Sequence, residues 1–412
     1  MAKASGEKAA RRSGSLMRLG SVRDVVLARV PLDAHRALGQ TCKALRRLVY
    51  SDDFAKLRKT VGCEECGLLV LAKPMDDHFE RSRPDYYAGR DHTLGCVTHN
   101  LESLGFAPPD QIPVGLEEFT TALSAGGYLI VCGDANHEGR NLLIYDTREH
   151  AWVQNSRFPD KLPISMYGQC TAFLDNTLVV VAGGNDDDGP WGFSWDEQMR
   201  MWRSLPPVPT AVTHPGYGII GSRLFVVGGY AHDETHSEHY GGGHFCDFTA
   251  RLQIFDMKTR TWSLGPPLDA LRDRMEQPKS AAVYHGRLYV FCQRVMITLS
   301  NDDMRDCSSH AYCFDPRSNS WSELPPLPVH SESHLKACVH NGRLVIVGTM
   351  NDAPAEWFGH GFDAELHPPS TFHYEWDDDA ETWTERPLLL DDISAWPGSR
   401  VEAVVSVPLR IR

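Results

Sequence analysis

Five aspartates are each followed, six residues later, by a tryptophan: Asp146/Trp152, Asp196/Trp202, Asp256/Trp262, Asp315/Trp321 and Asp377/Trp383. Successive tryptophans of these pairs lie 50 to 62 residues apart. A period of this size marks a chain built from repeated supersecondary units, each burying its apolar faces against its neighbours. A short apolar run precedes each pair: Tyr128–Val131, Leu178–Ala182, Leu224–Val227, Leu288–Phe291 and Leu344–Val347. Continuous apolar character, without alternation, predicts strands covered on both faces. Gly183-Gly184 and Gly228-Gly229 close two of these runs, where glycine permits positive φ and close backbone approach. After the tryptophans come Pro206-Pro207, Pro266-Pro267 and Pro325-Pro326, which end the last strand of a unit and turn the chain to the next.

These residues resemble the kelch repeat in five copies. The resemblance implies a mainly β fold, a six-bladed kelch β-propeller over residues 61–412. The sixth blade is expected from both ends of the chain. Gly67–Ala72, Gly95–Asn100 and Leu104–Pro108 supply three strands, and Glu402–Val407 supplies the missing first one. Closing a ring in this way removes exposed strand edges. Three copies depart from the double glycine: Gly133 stands alone, Gly348 precedes Thr349, and Phe291-Cys292 replaces the pair. Altered turns are expected there.

Residues 1–15 are polar and basic and are expected to form a disordered tail. Residues 16–60 have a different texture. Val25, Val26, Leu27 and Val30 fall near helical spacing, as do Leu38, Cys42, Leu45 and Val49. Phe54 and Leu57 suggest a third helix, with Asp33 and Ser51 as N-caps for the second and third. The segment from Leu27 to Leu32, with Thr41 to Val49, resembles an F-box, and the whole chain resembles plant F-box/kelch-repeat proteins. That resemblance implies a Skp-type adaptor and cullin ligase core as partners, with Leu27, Val30, Pro31, Leu32, Leu45 and Leu48 as adaptor contacts. Leu19-Gly20 stands near the place of the family's Leu-Pro, and Leu45 takes the place of its tryptophan. The function implied is a non-catalytic substrate receptor of a ubiquitin ligase. The alternatives are an interaction scaffold with a decayed F-box and, further off, a kelch-fold oxidase.

The long insertions all fall between the second and third strands of a repeat: 134–141, 185–192, 230–250, 294–309 and 350–370. Such loops are expected to emerge on the face that carries the links between blades, and long loops in a compact fold are usually functional. Trp191, Tyr230, Arg294, Trp357 and Arg140 are the candidate contacts with a protein substrate, because aromatic and arginine side chains anchor interfaces. The Asp, Trp and Gly residues of the repeat are assigned to architecture alone.

A net charge of −13 disfavours nucleic-acid and acidic membrane surfaces. The longest apolar run, near Leu178–Ala182, is far short of the ~20 residues of a membrane helix. The basic N-terminus is not followed by the apolar run of a secretory signal. The expected location is the cytoplasm, the nucleus or both. The 11 cysteines are expected to be reduced and buried. Cys63 and Cys66 form a CxxC without a second ligand pair nearby, and His232, His236, His239, His244 and Cys246 share a glycine-rich loop. Neither set is assigned a metal, and no cofactor or catalytic residue is expected.

Overall fold

The computed structural model describes parts of residues 27–58 and, in the remainder, residues 66–74, 93–96, 118–134, 141–163, 168–181, 192–231, 247–294, 309–329, 334–350, 370–387 and 399–408, apart from a few short gaps within these spans. Five four-stranded antiparallel sheets follow one another along the chain. The first is Glu118–Ala125, Tyr128–Asp134, Asn141–Asp146 and Ala151–Val153. The second is Cys170–Leu174, Thr177–Val181, Gly192–Asp196 and Met201–Ser204. The third is Gly216–Ile220, Arg223–Val227, Leu252–Asp256 and Thr261–Leu264. The fourth is Glu276–Tyr284, Arg287–Arg294, Ser309–Asp315 and Ser320–Glu323. The fifth is His334–His340, Arg343–Met350, Ser370–Asp377 and Thr382–Glu385.

A closing sheet joins the chain's two ends. Ser399–Pro408 pairs with Cys66–Pro74, which pairs with Thr93–Cys96. Leu69 stands opposite Val405 and Val70 opposite Val404. The expectation of six complete blades is therefore corrected to five blades and a three-stranded closing sheet. No tryptophan lies between Cys66 and Trp152, so the sequence offers no Asp–Trp pair for a fourth strand, and among the described residues none pairs with the free side of Thr93–Cys96. The segment Leu104–Pro108 lies outside the described residues.

The first strand of each sheet faces the axis, and these strands contact one another in succession around it. Apolar clusters fill the spaces between neighbouring sheets. Leu224, Val226 and Phe255 of the third blade, for instance, meet Leu174, Val179 and Val181 of the second. Leu68, Val70, Val401 and Val404 of the closing sheet meet Val345 and Val347 of the fifth blade. The second strands are covered on both faces as their sequence implies, with Leu224, Val226 and Val227 fully buried.

Each Asp–Trp pair has a mechanical role. The aspartate accepts main-chain N–H groups of the turn that follows it, as Asp256 does from Lys258 at 2.9 Å and Asp315 from Arg317 at 2.8 Å. Arg223 and Arg287, which begin the second strands, donate to the same carboxylates at 3.0 and 2.9 Å. The tryptophan reaches back to the preceding blade. Trp202, Trp262 and Trp321 donate through Nε1 to the main-chain oxygens of Lys161, Pro206 and Pro266, at 3.0, 3.1 and 3.0 Å. The proline-rich exit is thus the acceptor for the next blade's tryptophan as well as a strand stop.

The three-helix unit expected over residues 16–60 is also corrected. Among the described residues of that segment there is one short helix of about two turns, Lys43–Val49, with helical positions at 27–28, 53–54 and 57–58. Ala28, Leu48 and Phe54 form a small buried cluster, against which Leu27, Val49 and Leu57 pack. Arg58 donates to the Ala28 oxygen at 2.9 Å, and Ser51 Oγ accepts from the Phe54 N–H at 3.2 Å, in the manner of an N-cap. Asp33 lies outside the described residues.

Candidate functional site

The axial strands surround a channel of about 470 Å³. At one end, Gly168, Gln169, His214, Gln277, Lys279 and Lys336 line it, and towards the other it becomes apolar with Val283, Val339, Val404 and Val405. Tyr217 Oη and Thr121 Oγ1 meet across its wall at 2.5 Å and tie the third blade to the first.

The polar end lies on the loop face. In the third blade, Tyr230–Ala231 begins the long loop after the second strand. It pairs with Val212–Thr213, which belongs to the link from the second blade, and with Asp247–Phe248, which returns from the loop. Link and loop therefore share one face, as the repeat implies. Gly228 and Gly229 make this junction, with φ of 65° and 98°. A Cβ on Gly228 would lie 2.5 Å from Leu271 Cδ1 and 2.9 Å from Pro278 Cγ.

Three axial strands carry one extra residue in their register. Thr120 in the first blade, Lys279 in the fourth and Glu402 in the closing sheet have no partner in the neighbouring strand's register. Such bulges bend a strand and re-aim the side chain at the irregularity. Lys279 is aimed into the channel in this way, and its Nζ donates to Gln277 Oε1 at 2.7 Å. The same oxygen accepts from Tyr230 Oη at 3.0 Å. Tyr230 packs on Phe248 at 4.9 Å and edge-on to His214 at 6.1 Å between ring centroids. One residue of the loop root is thereby coupled to the channel wall.

Among the described residues, the ionisable side chains that line this end are Lys279, Lys336 and His214. Burial, reinforced by the Lys336 charge, pulls the Lys279 amine down to about 8. Burial also lowers His214 to about 4, with Lys336 and Lys279 adding to the effect, so its imidazole is neutral at pH 7. Behind the channel wall, the fully buried Glu276 accepts from Tyr312 Oη at 2.8 Å and lies 2.7 Å from His310 Nδ1. Burial raises its carboxyl above the ordinary range, against the hydrogen bond and the nearby His310 charge. Arg274 donates to Tyr312 Oη at 3.1 Å and to both Glu323 oxygens at 2.7 and 3.0 Å. This network clamps the start of the strand that carries Lys279.

Of the five predicted substrate contacts, Tyr230 stands at the channel mouth. Arg294 ends the fourth blade's second strand on the same face, opposite Glu276. Trp191, Trp357 and Arg140 lie outside the described residues, as do His232, His236, His239, His244, Cys246 and Cys63. Among the predicted adaptor contacts, Leu48 is buried and Leu27 packs against it, while Leu45 is half-buried. Val30, Pro31 and Leu32 lie outside the described residues. Among the described residues no cluster of His, Cys, Asp or Glu has the makings of a metal site, and no helix is long and apolar enough to cross a membrane.

Lys279, Lys336, His214, Gln277 and Gln169 are not among the residues the sequence singles out, because candidate contacts were sought only in the long loops between second and third strands. Polar side chains in Gln277-Pro278-Lys279 and at Lys336, amid otherwise apolar strands, were the available signal.

Comparison with known proteins agrees with this architecture. The KLHDC2/KLHL20/DRC7 Kelch-repeats domain family matches residues 119–349, more than half of the chain. Kelch domain-containing protein 3 of Homo sapiens is 28% identical over 210 residues, which are 46% of this chain and 49% of that protein. Kelch domain-containing protein 1 of Mus musculus is 25% identical over 229 residues, 50% of this chain and 54% of that protein. The matches thus span about half the length of these relatives. The solved structure of YjhT covers 68% of this chain and 85% of its own at 16% identity, with a TM-score of 0.47.

Proposed function

Because the chain belongs to the kelch-repeat family, we propose that it is a non-catalytic receptor that holds a partner protein on the loop face of its ring. The observation that supports this most directly is the junction at Tyr230. There a long loop, an inter-blade link and the channel wall meet in one hydrogen-bonded unit. A rigid scaffold that gathers variable loops around a cavity is a common design for recognition. The buried thiols of Cys132, Cys170 and Cys292 are raised by desolvation and are poor nucleophiles, in keeping with a non-catalytic role.

In the finer reading, residues 16–60 couple the ring, taken from about residue 61, to a Skp-type adaptor and a cullin ubiquitin ligase. The receptor then acts by proximity, raising the local concentration of a bound target near the conjugating enzyme. Affinity purification of the full chain, compared with a chain lacking residues 16–60, tests this. An adaptor should co-purify with the first and not with the second. Recovery of partner proteins with neither chain retaining an adaptor would leave a scaffold without ligase coupling. That second reading is favoured by Leu48 and Leu27, which are engaged in the segment's own small core.

A further inference from the structure

We propose that Lys279 is the covalent attachment point for a small aliphatic aldehyde, which enters the axial channel and forms an imine with the lysine's amine. The channel supplies the room, about 470 Å³. Lys279 is the residue left over when Glu276–Tyr284 pairs with Arg287–Arg294, and it lines that channel. Among the described residues its Nζ has one hydrogen-bond partner, Gln277 Oε1 at 2.7 Å. The same oxygen is fixed from its other side by Tyr230 Oη at 3.0 Å. The amine is thus positioned by a neutral amide, which holds one N–H and leaves the rest of the nitrogen open to a ligand.

A lysine is a nucleophile only while its amine is neutral, and withdrawal from water favours that form. Burial is the larger cause that brings Lys279 down to about 8, with the Lys336 charge second. Roughly one such amine in ten is neutral at pH 7, against roughly one in three thousand at the ordinary lysine value. Among the described residues, the ionisable groups that act on Lys279 are Lys336 from the fifth blade, His214 from the link before the third and Cys292 from the neighbouring strand. The reaction balances without a further reagent. Nζ adds to the carbonyl carbon, the carbonyl oxygen departs as water with the two amine protons, and a C=N bond replaces C=O. Water reverses the step, so the site binds and does not turn over.

The walls select the class. Beyond Lys279 the channel is lined by Val283, Val339, Val404 and Val405. Val283 lies four residues further along the same strand, roughly 13 Å away at a rise of ~3.3 Å per residue. An aldehyde joined to Lys279 can therefore lay an alkyl chain along this apolar stretch, where its burial is favourable. The site stands independently of the receptor and ligase readings.

The test is imine trapping in the full chain. Folded protein at pH 7 is mixed with hexanal and sodium cyanoborohydride, which reduces an imine to a stable secondary amine, and peptide mass spectrometry reads each lysine. Lys279 should be modified at least roughly ten-fold faster than Lys258, which is exposed on a blade turn. That ratio should fall as pH rises above about 8, and it should vanish in urea. Hexanal should be preferred to acetaldehyde at Lys279 by roughly five-fold more than at Lys258. In the intact protein, Lys279→Arg should remove the fast phase of adduct formation, with thermal unfolding confirming that the variant is folded. Modification of Lys279 no faster than Lys258, a ratio that survives urea, a fast phase that persists in Lys279→Arg, or equal use of hexanal and acetaldehyde overturns the proposal.

Discussion

Trp262 Nε1 donates to the main-chain oxygen of Pro206 at 3.1 Å, so the outer strand of the third blade is tied to the exit of the second. Trp321 makes the equivalent bond to Pro266. Trp383 is buried at the corresponding place in the fifth blade, but its Nε1 has no partner. Replacing Trp262 or Trp321 by Phe keeps most of the ring's packing and orphans a carbonyl, which should cost about 1–2 kcal/mol in urea unfolding. Trp383→Phe should cost less than either. Equal losses at all three positions would show that ring volume, and not the bond, joins the blades.

The closing strand makes a second prediction. Val404 and Val401 are buried against Leu68, Val70, Val345 and Val347. Val404→Asp places an unpaired charge in that contact and should cost several kcal/mol. It should also expose the Cys66–Pro74 edge to other chains. Light scattering during mild heating, compared with the exposed change Ser318→Asp in a blade turn, reads the outcome.

Two glycines separate crowding from backbone strain. Gly228 has φ of 65° and no room for a Cβ, because Leu271 and Pro278 press on it. Gly286 has φ of 72° and nothing within 4 Å of where a Cβ would stand. Gly286→Ala should lose roughly 1 kcal/mol from conformation alone, and Gly228→Ala roughly 3 kcal/mol once overpacking is added. Chemical denaturation of the pair checks the difference.

His214 gives the fold an acid-side dependence. Its folded value, about 4, lies below the ordinary 6.5. Between these values the unfolded chain binds the extra proton and the folded chain does not. Its contribution is therefore intact above pH 6.5 and is lost as pH falls towards 4, by at most roughly 3 kcal/mol. Unfolding free energy measured from pH 7.5 to 4.5 should fall less steeply in His214→Asn. Lys279 acts on the alkaline side: stability should rise between about 8 and 10.5, as the unfolded chain keeps the proton that the folded one has released.

Thiol accessibility offers a final check. Cys132, Cys170, Cys292 and Cys313 are buried, and burial raises each thiol, Cys132 to about 12. Iodoacetamide at pH 7.5 should leave all four unmodified in the folded protein and modify them in urea, as read by peptide mass spectrometry.

Much of the ring is legible in the sequence, because its rules are local. An aspartate that caps a turn and a tryptophan six residues on announce the last two strands of a blade. A run such as Leu224-Phe225-Val226-Val227 announces the second strand, which lies between the axial strand and the third. Even the pairing of the two ends was visible in the apolar run around Val404 and Val405. What escaped reading depends on register. Nothing in the composition of Gln277-Pro278-Lys279-Ser280 reveals that Lys279 is the residue left over when that strand pairs with its neighbour. The convergence of His214, Lys279 and Lys336 is likewise a property of the closed ring, since they belong to three different repeats. Tyr230 is legible in the sequence as a large side chain at a loop root, but its bond to Gln277 is not.

The closing sheet also has a consequence for the order of events in folding. Leu69 and Val405 come from opposite ends of the chain, so synthesis delivers one long before the other. Contacts so distant in sequence form late, after the local hairpins that bring them within reach. Until Ser399–Pro408 emerges from the ribosome, the strand Cys66–Pro74 lacks its axial neighbour and the channel has a wall missing. Both the cavity and the clasp that makes it are therefore among the last features the protein acquires, and translation that stops short of Ser399 yields blades without a ring.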